Sequence, residues 1–596
     1  MSNSFHRLLT SLTVLVPLTT TGWTDQNPSI PAYRSKTDVV LVPVVVRSKG
    51  GPAQGLKQEQ FSVMEDGKPQ KIASVELIKT VAKVQRREAP GQFSNELFAP
   101  APARLTIVGL DLINTPYLDQ SFGRQQLLEY LTGSMDPNEQ VAIFAMYRDG
   151  SVRLLHDISS DSATLADAIK GLSGALPNSA ADTKTTPTSS KVQVERAIMA
   201  NSRNPDLGSG DPKLERATDE EQALQSFKES TTGHPAFELR RNMEATLSSM
   251  RQIGEAFSGA PGRKSFIWIT GSFPFELSGS GDLVSPKTYF MGSTEETAHY
   301  YVTHNGALPP LPDSSLVVNE SELNPLRQEF RTLLQEFASG NIVLYPLDAR
   351  GLLTLNSEAA DTHSNKLLLQ FDKERIQTSQ GTMQTMAQMT GGKACFNKNE
   401  IVSCLRNASQ DSQQYYLLSY YRDKKNNKQG WRKLSVKVDQ PDTEVRARSG
   451  FFYGRDPGDK NARNRALSTA MRSSVPSSLV PFSAKFLSTT PQGNNKLVKY
   501  RVFIPPTTVD SADQGDNKFQ LEIITVASTP SNPRVDQVAD TLGGNLPPEA
   551  IAAIHQQGLA YNNVLKLPPG QYDVRFMVRN VTTNEVGSVI APLKVD

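Results

Sequence analysis

Cysteine is almost absent from this chain, since Cys395 and Cys404 are the only two among 596 residues. A content this low excludes a small scaffold held together by many disulfides. The spacing of the pair matches no common zinc-binding pattern, and no histidine stands nearby to complete such a site. In an exported chain the two thiols would form a disulfide, and the alternative is a pair of buried free thiols.

An excess of charge of either sign is also lacking. The chain has 63 Lys and Arg against 61 Asp and Glu, which leaves a formal net charge of +2. Because the basic residues are not segregated, we expect no nucleic-acid partner. Histidine is scarce, with seven in all, and none occurs in the His-Glu-x-x-His spacing of a zinc protease.

Long hydrophobic runs are missing outside the N-terminus, so we expect no membrane span in the mature chain. The first residues include His6 and Arg7, then an apolar core at 8–18 and small residues at 19–22. This order is typical of a secretory signal. We predict a signal peptide at 1–22 and a secreted or periplasmic protein. An uncleaved anchor is the alternative, because no clear Ala-x-Ala cleavage site is present.

One apolar run organises the rest of the sequence. It begins at Arg104 and stops at Asp111, Asn114 and Thr115. Such a run is typical of a strand buried on both faces of a parallel sheet, and parallel sheets bind ligands at the carboxyl ends of their strands. Helical spacing follows from 118 to 132. This order predicts an α/β fold with a doubly wound, mostly parallel, Rossmann-type sheet.

Further buried strands are predicted at 140–147, 265–270 and 341–348. An antiparallel edge strand is predicted at 151–156, because it follows an Asp-Gly turn. Alternating strands elsewhere predict antiparallel units at both ends of the chain. The predicted organisation is a signal peptide at 1–22, a small N-terminal β-rich unit at 37–80, an α/β domain at 104–453 with irregular insertions at 173–210 and 273–319, a linker at 454–482, and a C-terminal immunoglobulin-like β-sandwich at 483–596.

Several sequence blocks occur in a fixed order along the chain. They are Leu41-Val-Pro-Val-Val-Val, Gln60-Phe-Ser-Val-Met-Glu-Asp-Gly-Lys, Leu110-Asp-Leu-Ile-Asn-Thr-Pro, Pro261-Gly-Arg-Lys, Ile267-Trp-Ile-Thr-Gly, Tyr345-Pro-Leu-Asp-Ala-Arg-Gly, Tyr415-Tyr-Leu-Leu-Ser-Tyr-Tyr and Arg448-Ser-Gly-Phe-Phe. Together these blocks resemble the von Willebrand factor A-related domain family of exported acidobacterial proteins. The resemblance covers about residues 37–453 and implies a von Willebrand A-like fold.

The wider fold implies a metal-ion-dependent adhesion site whose first loop is Asp-x-Ser-x-Ser. Here that loop runs from Asp111 to Thr115 and lacks the middle serine, while Ser159 would supply the second loop. The third loop has Thr270-Gly-Ser272 where an aspartate is expected. Mg²⁺ requires several oxygen ligands, so the resemblance implies at most a weakly bound Mg²⁺ or other divalent cation on Asp111, Thr115 and Ser159. We favour the alternative without an ion, in which Asp111 hydrogen-bonds its own loop.

Asp348 also ends a predicted strand. It would lie two strands from Asp111, about 10 Å away at the usual spacing, so we assign it to a helix cap or an ion pair with Arg350. Ser272 follows Gly271 at the end of a predicted strand, which weakly resembles the nucleophile turn of a hydrolase. The Gly-x-Ser-x-Gly motif of that turn is absent there.

We therefore predict an exported, non-enzymatic binding or adhesion protein. It would recognise a protein or cell-surface ligand at the carboxyl edge of the parallel sheet. The alternatives are an extracytoplasmic hydrolase and a structural component of the cell envelope. The predicted ligand-binding residues are Asp111, Asn114, Thr115, Ser159, Thr270 and Ser272.

The export prediction has a direct test. The intact mass of the protein recovered outside the cytoplasm should correspond to a chain that starts near residue 23. A Leu15→Arg variant places a charge in the apolar core and should leave the full-length precursor inside the cell. A full-length mass for the exported wild-type protein would contradict cleavage and favour the uncleaved anchor.

Overall fold

The computed structural model describes residues 39–49, 51–86, 89–115, 117–172, 240–271, 276–277, 283–284, 320–351, 363–398, 400–422, 430–453, 462–512, 518–545 and 547–596. The chain divides into residues 1–35 and 36–596, and all described residues belong to the second unit. The predicted signal peptide, the insertion at 173–210 and nearly all of 273–319 lie outside the described residues. Within the described part, no helix is both long and apolar enough to cross a membrane.

The described strands are numbered in chain order. Those of the first half are β1 (Val39–Ser48), β2 (Gly51–Pro52), β3 (Phe61–Glu65), β4 (Lys68–Gln70), β5 (Ile72–Lys79), β6 (Gln85–Arg86), β7 (Gln92–Ser94), β8 (Leu97–Phe98), β9 (Leu105–Asp111), β10 (Gln140–Met146), β11 (Val152–Ser159), β12 (Lys264–Thr270), β13 (Glu276–Leu277) and β14 (Leu283–Val284). Those of the second half are β15 (Ile342–Asp348), β16 (Gln414–Tyr421), β17 (Gly430–Val438), β18 (Glu444–Arg446), β19 (Gly450–Tyr453), β20 (Ser483–Gln492), β21 (Asn495–Ile504), β22 (Lys518–Ser528), β23 (Asp536–Asn545), β24 (Leu559–Leu567), β25 (Gly570–Asn580) and β26 (Val586–Val595).

Helices are fewer than strands in the described part of the chain. Their bounds are Tyr117–Gly133, Ser162–Leu172, 240–257, Glu320–Ser339, His363–Thr390, Val402–Gln410, Ala462–Arg472, Pro506–Ala512 and Pro548–Gln557.

The central sheet has the strand order β11-β10-β9-β12-β15. Strands β10, β9, β12 and β15 are parallel, and every one of their residues is buried. Burial on both faces explains why these four strands are continuous apolar runs. Strand β11 pairs with β10 in the antiparallel sense, which confirms the predicted edge strand.

The predicted fold class is nevertheless wrong for the chain. The protein is mostly β, its strands lie in several antiparallel sheets, and it is not a doubly wound parallel α/β fold. Parallel ladders between the numbered strands are confined to the one mixed central sheet. The error came from extending the pattern of four apolar runs to a chain in which alternating, half-buried strands are far more numerous.

Two antiparallel sheets form a first sandwich from strands of the predicted N-terminal unit and strands at the C-terminal end of the predicted α/β domain. Their strand orders are β18-β1-β16-β5 and β19-β17-β3-β4. Val42, Phe61, Tyr416 and Leu434 come from four of these strands and share one core. The segment 37–80, predicted as a separate unit, therefore shares both sheets with strands that follow the central sheet in the chain.

A second sandwich contains two four-stranded antiparallel sheets, β24-β21-β20-β7 and β23-β22-β25-β26. Val502, Tyr500, Phe576 and Val589 lie in its common core. Strand β7 pairs with β20 although it comes from the segment that precedes the central sheet. A β-sandwich is thus present at the C-terminal end, but residues 92–94 also belong to it.

Residues 473–482 join the second sandwich to the rest of the described chain through buried hydrogen bonds. The side chain of Asn95 is fully buried; its Nδ2 donates to the carbonyl oxygens of Ser477 and Val480, and its Oδ1 accepts from the Phe482 amide at 2.8 Å. Ser478 Oγ lies 3.0 Å from the Glu255 carbonyl oxygen on helix 240–257. The C-terminal part of the predicted linker is therefore a packed connection.

Asn95 offers a test of this connection. Asn95→Ala leaves three backbone groups without their partner, so the free energy of unfolding should fall by roughly 2 to 4 kcal/mol. The matched control is Asn562→Ala, which removes an exposed hydrogen bond from Arg501 and should cost less than about 0.5 kcal/mol. Urea unfolding followed by fluorescence measures both. Equal losses in the two variants would show that Asn95 is not a fastening point.

Candidate ligand site at the carboxyl edge of the central sheet

Asp111 is the last residue of β9, and its side chain is only 1% exposed. One carboxylate oxygen, Oδ1, accepts from the amides of Ile113 at 2.9 Å and Asn114 at 3.0 Å. The other, Oδ2, accepts from Asn114 Nδ2 at 2.8 Å and Thr270 Oγ1 at 2.7 Å. Each oxygen accepts two hydrogen bonds, so the carboxylate is saturated by neutral donors.

Burial raises the pKa of Asp111, and the hydrogen bonds from Asn114, Thr270 and Ile113 offset only part of that effect. All four hydrogen bonds to the Asp111 carboxylate come from neutral groups. No cation is among the causes of its pKa shift. The predicted hydrogen bonds between Asp111 and its own loop are present.

The neighbouring hydroxyl groups tie the loop to two other elements. Thr115 Oγ1 accepts from the Gly271 amide at 2.9 Å, just after β12. Asn114 Nδ2 also donates to Thr246 Oγ1 at 2.8 Å, on helix 240–257. The structure thus brings Asp111, Asn114, Thr115 and Thr270 together. Thr246 was missed by the sequence analysis, because its helix is remote in the chain and it belongs to no motif.

Two other predicted site residues are not part of this cluster. Ser159 pairs with Val141 near the start of β10, whereas Asp111 pairs with Met146 at the end of that strand. At the usual rise per residue the two lie roughly 15 Å apart. Ser159 accepts instead from the amide of Asp161 at 3.0 Å. The prediction that it joins Asp111 is wrong, and Ser272 lies outside the described residues.

The described residues do not fit the divalent cation that the resemblance implies. Mg²⁺ needs several available oxygen ligands in near-octahedral geometry. Both oxygens of Asp111 and the hydroxyl of Thr115 already accept hydrogen bonds, and Ser159 is at the opposite edge of the sheet. Among the described residues, no group of three or more His, Cys, Asp or Glu side chains could hold an ion.

Asp348 ends β15, two strands from β9 in the sheet order. Its carboxylate accepts from Arg350 Nε at 2.8 Å and Nη2 at 2.7 Å, which confirms the predicted ion pair. Burial raises the pKa of the nearby Asp119; Arg350 opposes the rise and Asp348 adds to it. The edge therefore carries a second polar group, separate from Asp111 and its hydrogen-bond partners.

The predicted disulfide between Cys395 and Cys404 is present. Cys395 forms a parallel bridge with Leu347 of β15, and Cys404 lies on helix Val402–Gln410. The bond therefore attaches the segment beside the sheet edge to the helix that packs near it.

No protein-family model and no curated protein matches the chain.

The saturated carboxylate predicts how the site responds to metal and to mutation. Asp111→Ala leaves four donors unsatisfied in a buried position, so the free energy of unfolding should fall by about 2 to 5 kcal/mol. Titration calorimetry of the wild-type chain with Mg²⁺ should give a dissociation constant weaker than about 1 mM.

The matched control is Asp167→Ala, which removes an exposed ion pair with Lys170 and should change stability by less than about 0.5 kcal/mol. Tight Mg²⁺ binding that disappears in Thr115→Val would contradict the assignment. So would an Asp111→Ala variant with wild-type stability.

Proposed function

We propose that this chain is an exported, non-enzymatic binding protein that recognises a protein or cell-surface ligand at the carboxyl edge of its central sheet. That edge is held in one arrangement by the Asp111 cluster, which consists of Asp111, Asn114, Thr115, Thr246 and Thr270. The other four members are buried, so the half-buried Asn114 is the residue that contacts the ligand. The proposal includes membership of the von Willebrand factor A-related domain family, on the sequence blocks given above.

The observation that carries this proposal is the fixed polar cluster at the strand ends. Side chains from the β9 loop, β12 and helix 240–257 are joined by hydrogen bonds of 2.7 to 3.0 Å. A cluster already held in one arrangement loses little conformational entropy when a ligand binds. Asn114 is half-buried, so it is the member best placed to meet a partner.

The same contacts favour binding over catalysis. A general base needs a lone pair directed at the proton it removes. All four hydrogen bonds to Asp111 come from within the protein, and they use both carboxylate oxygens. Asp111 is thus suited to holding the loop in place, and it is poorly suited to accepting a substrate proton.

Export is supported by two features. The N-terminal residues have the order of a secretory signal, and the disulfide is of a kind that persists in oxidising compartments. A partner on a cell surface or in the periplasm would meet the protein there.

Binding of the fluorescently labelled protein to intact cells of the bacterium that produces it tests the proposal. Asn114→Arg adds bulk and charge at the edge and should weaken saturable binding by about tenfold or more. The control is Asn562→Arg on the second sandwich, which should bind as the wild type does. Equal binding by Asn114→Arg and wild type would refute the edge as the recognition surface.

The alternatives have their own signatures in a parallel assay. A hydrolase would turn over chromogenic esters, peptides or glycosides, and Ser272→Ala would abolish the turnover. A structural envelope component would remain in the envelope fraction irrespective of Asn114→Arg. Either result would replace the binding proposal.

A further inference from the structure

A cavity of about 230 Å³ lies between the central sheet and the first sandwich. Its walls come from β12 and β15, the segment 393–398, the helix Val402–Gln410 and the ends of β1 and β18. The volume is below the range of drug-sized ligand pockets, which begins at about 300 Å³. It suits a small molecule of a few heavy atoms.

The lining of this cavity is strongly basic. Four cationic side chains line it, against the single carboxylate of Glu444, and the amide of Asn407 adds a further polar group. The apolar part of the wall includes Leu347 and Phe396. The four cationic residues are Arg47, Lys393, Lys398 and Arg446.

Asp411 lies behind the cavity and neutralises only part of this charge. Its carboxylate forms ion pairs with Arg47 Nε at 3.3 Å and with Arg446 Nη1, and it accepts from the Tyr345 hydroxyl at 2.8 Å. Even when Asp411 and Glu444 are both counted, cations remain in excess. The two guanidinium groups are mostly buried, with 15% and 10% of the side chains exposed, so the charge is held in a fixed place.

Several side chains hold the two arginines in place. Arg47 Nη1 donates to Asn407 Oδ1 at 3.1 Å and Arg47 Nη2 to Gln410 Oε1 at 2.8 Å. The buried Nε atoms of Arg47 and Arg446 face Asp411 and Glu444 within ion pairs. A guanidinium presents five N–H donors in a planar fork that matches the oxygens of a carboxylate or a phosphate.

Glu444 responds to the excess of cations. Burial alone would raise its pKa, but the hydrogen bond from Lys393 and the charges of Arg446, Lys393 and Arg47 outweigh that effect, so the pKa of Glu444 is lowered. An introduced anion would experience the same positive surroundings.

We propose that this cavity binds a small oxyanion, namely a molecule that carries a phosphate or carboxylate group. Arg47 and Arg446 form the fixed part of the site, while the exposed Lys393 and Lys398 lie at its mouth and contribute charge. The site is distinct from the Asp111 cluster and does not rest on the function proposed above.

The disulfide holds two walls of the cavity together. Cys395 belongs to the segment that carries Lys393 and Lys398, and Cys404 to the helix that carries Asn407. Both half-cystines line the cavity. Reduction removes this link, so the reduced protein should bind the oxyanion more weakly.

Titration calorimetry of the full chain with inorganic phosphate and with succinate, at low ionic strength, tests the proposal. At least one probe should bind with a dissociation constant below about 10 mM, and added salt should weaken it. Binding of phosphate alone identifies a phosphate-bearing ligand, and binding of succinate alone identifies a carboxylate ligand. Absence of binding by both probes overturns the proposal.

Charge reversal locates the binding. The double variant Lys393→Glu and Lys398→Glu should weaken the probe by about tenfold or more, which is about 1.4 kcal/mol. The matched control reverses Lys485 and Lys499, two exposed lysines on the second sandwich, and should bind within about twofold of wild type. Equal weakening by both pairs means non-specific attraction and overturns the site.

Two further measurements complete the test. Circular dichroism checks that the double variant folds. If the double variant does not fold, the milder Lys398→Gln variant replaces it and should still weaken binding of the probe measurably. In the reduced wild-type protein, a loss of affinity supports the role of the disulfide in the wall. An unchanged affinity after reduction overturns that role.

Discussion

The buried carboxylate of Asp411 is the interaction on which the join between the first sandwich and the central sheet depends. Its side chain is fully buried and faces Arg47 from β1, Arg446 from β18 and the Tyr345 hydroxyl from β15. A buried charge is tolerated only when it is paired and hydrogen-bonded, and removal of one partner leaves the others uncompensated. Asp411 therefore links β1 and β18 of the first sandwich to β15 of the central sheet.

The network extends into the sheet on the side of Tyr345. Arg263 Nη2 donates to the Tyr345 hydroxyl at 2.9 Å and to the carbonyl oxygen of Gly391 at 3.2 Å. Burial raises the pKa of Tyr345, while Arg263 opposes the rise and Asp411 adds to it. The phenol therefore stays neutral and donates a hydrogen bond to Asp411. The buried carboxylate of Asp111, in contrast, is stabilised by neutral hydrogen-bond donors. The difference explains why excess positive charge gathers beside Asp411 and not beside Asp111.

Local sequence pattern predicted the features that depend on local burial. The four apolar runs form β9, β10, β12 and β15, which are buried on both faces. The Asp-Gly turn directly precedes the antiparallel strand β11. Pairings between remote segments left no such trace. Val39 pairs with Tyr421, and Phe93 with Ala484, because a strand's alternation specifies which face is buried and not which strand lies beside it.

The wrong position predicted for Ser159 has a different origin, since the predicted antiparallel direction of its strand already excluded that position. An antiparallel edge strand runs back toward the amino ends of its parallel neighbours, so its last residue must lie far from their carboxyl ends. Ser159 is the last residue of β11 and Asp111 the last of β9. The motif implied by the resemblance placed Ser159 beside Asp111, although the direction of β11 is incompatible with that position.

The side of β15 that does not pair with β12 connects the disulfide, the cavity and the carboxyl edge. After helix His363–Thr390 the chain turns back against β15, and a Cβ at Gly392 would lie 2.0 Å from the Leu344 carbonyl oxygen, so only glycine permits this approach. The Cys395 amide then donates to the Pro346 carbonyl oxygen at 2.9 Å, and its own carbonyl oxygen accepts from the Asp348 amide at 2.8 Å. An edge strand with unpaired groups would invite pairing with another chain. Here the segment that covers the edge also forms a wall of the basic cavity, and the disulfide to Cys404 holds it in place. The hydrogen bond from the Asp348 amide to Cys395 therefore joins the cavity wall to the backbone at the carboxyl edge.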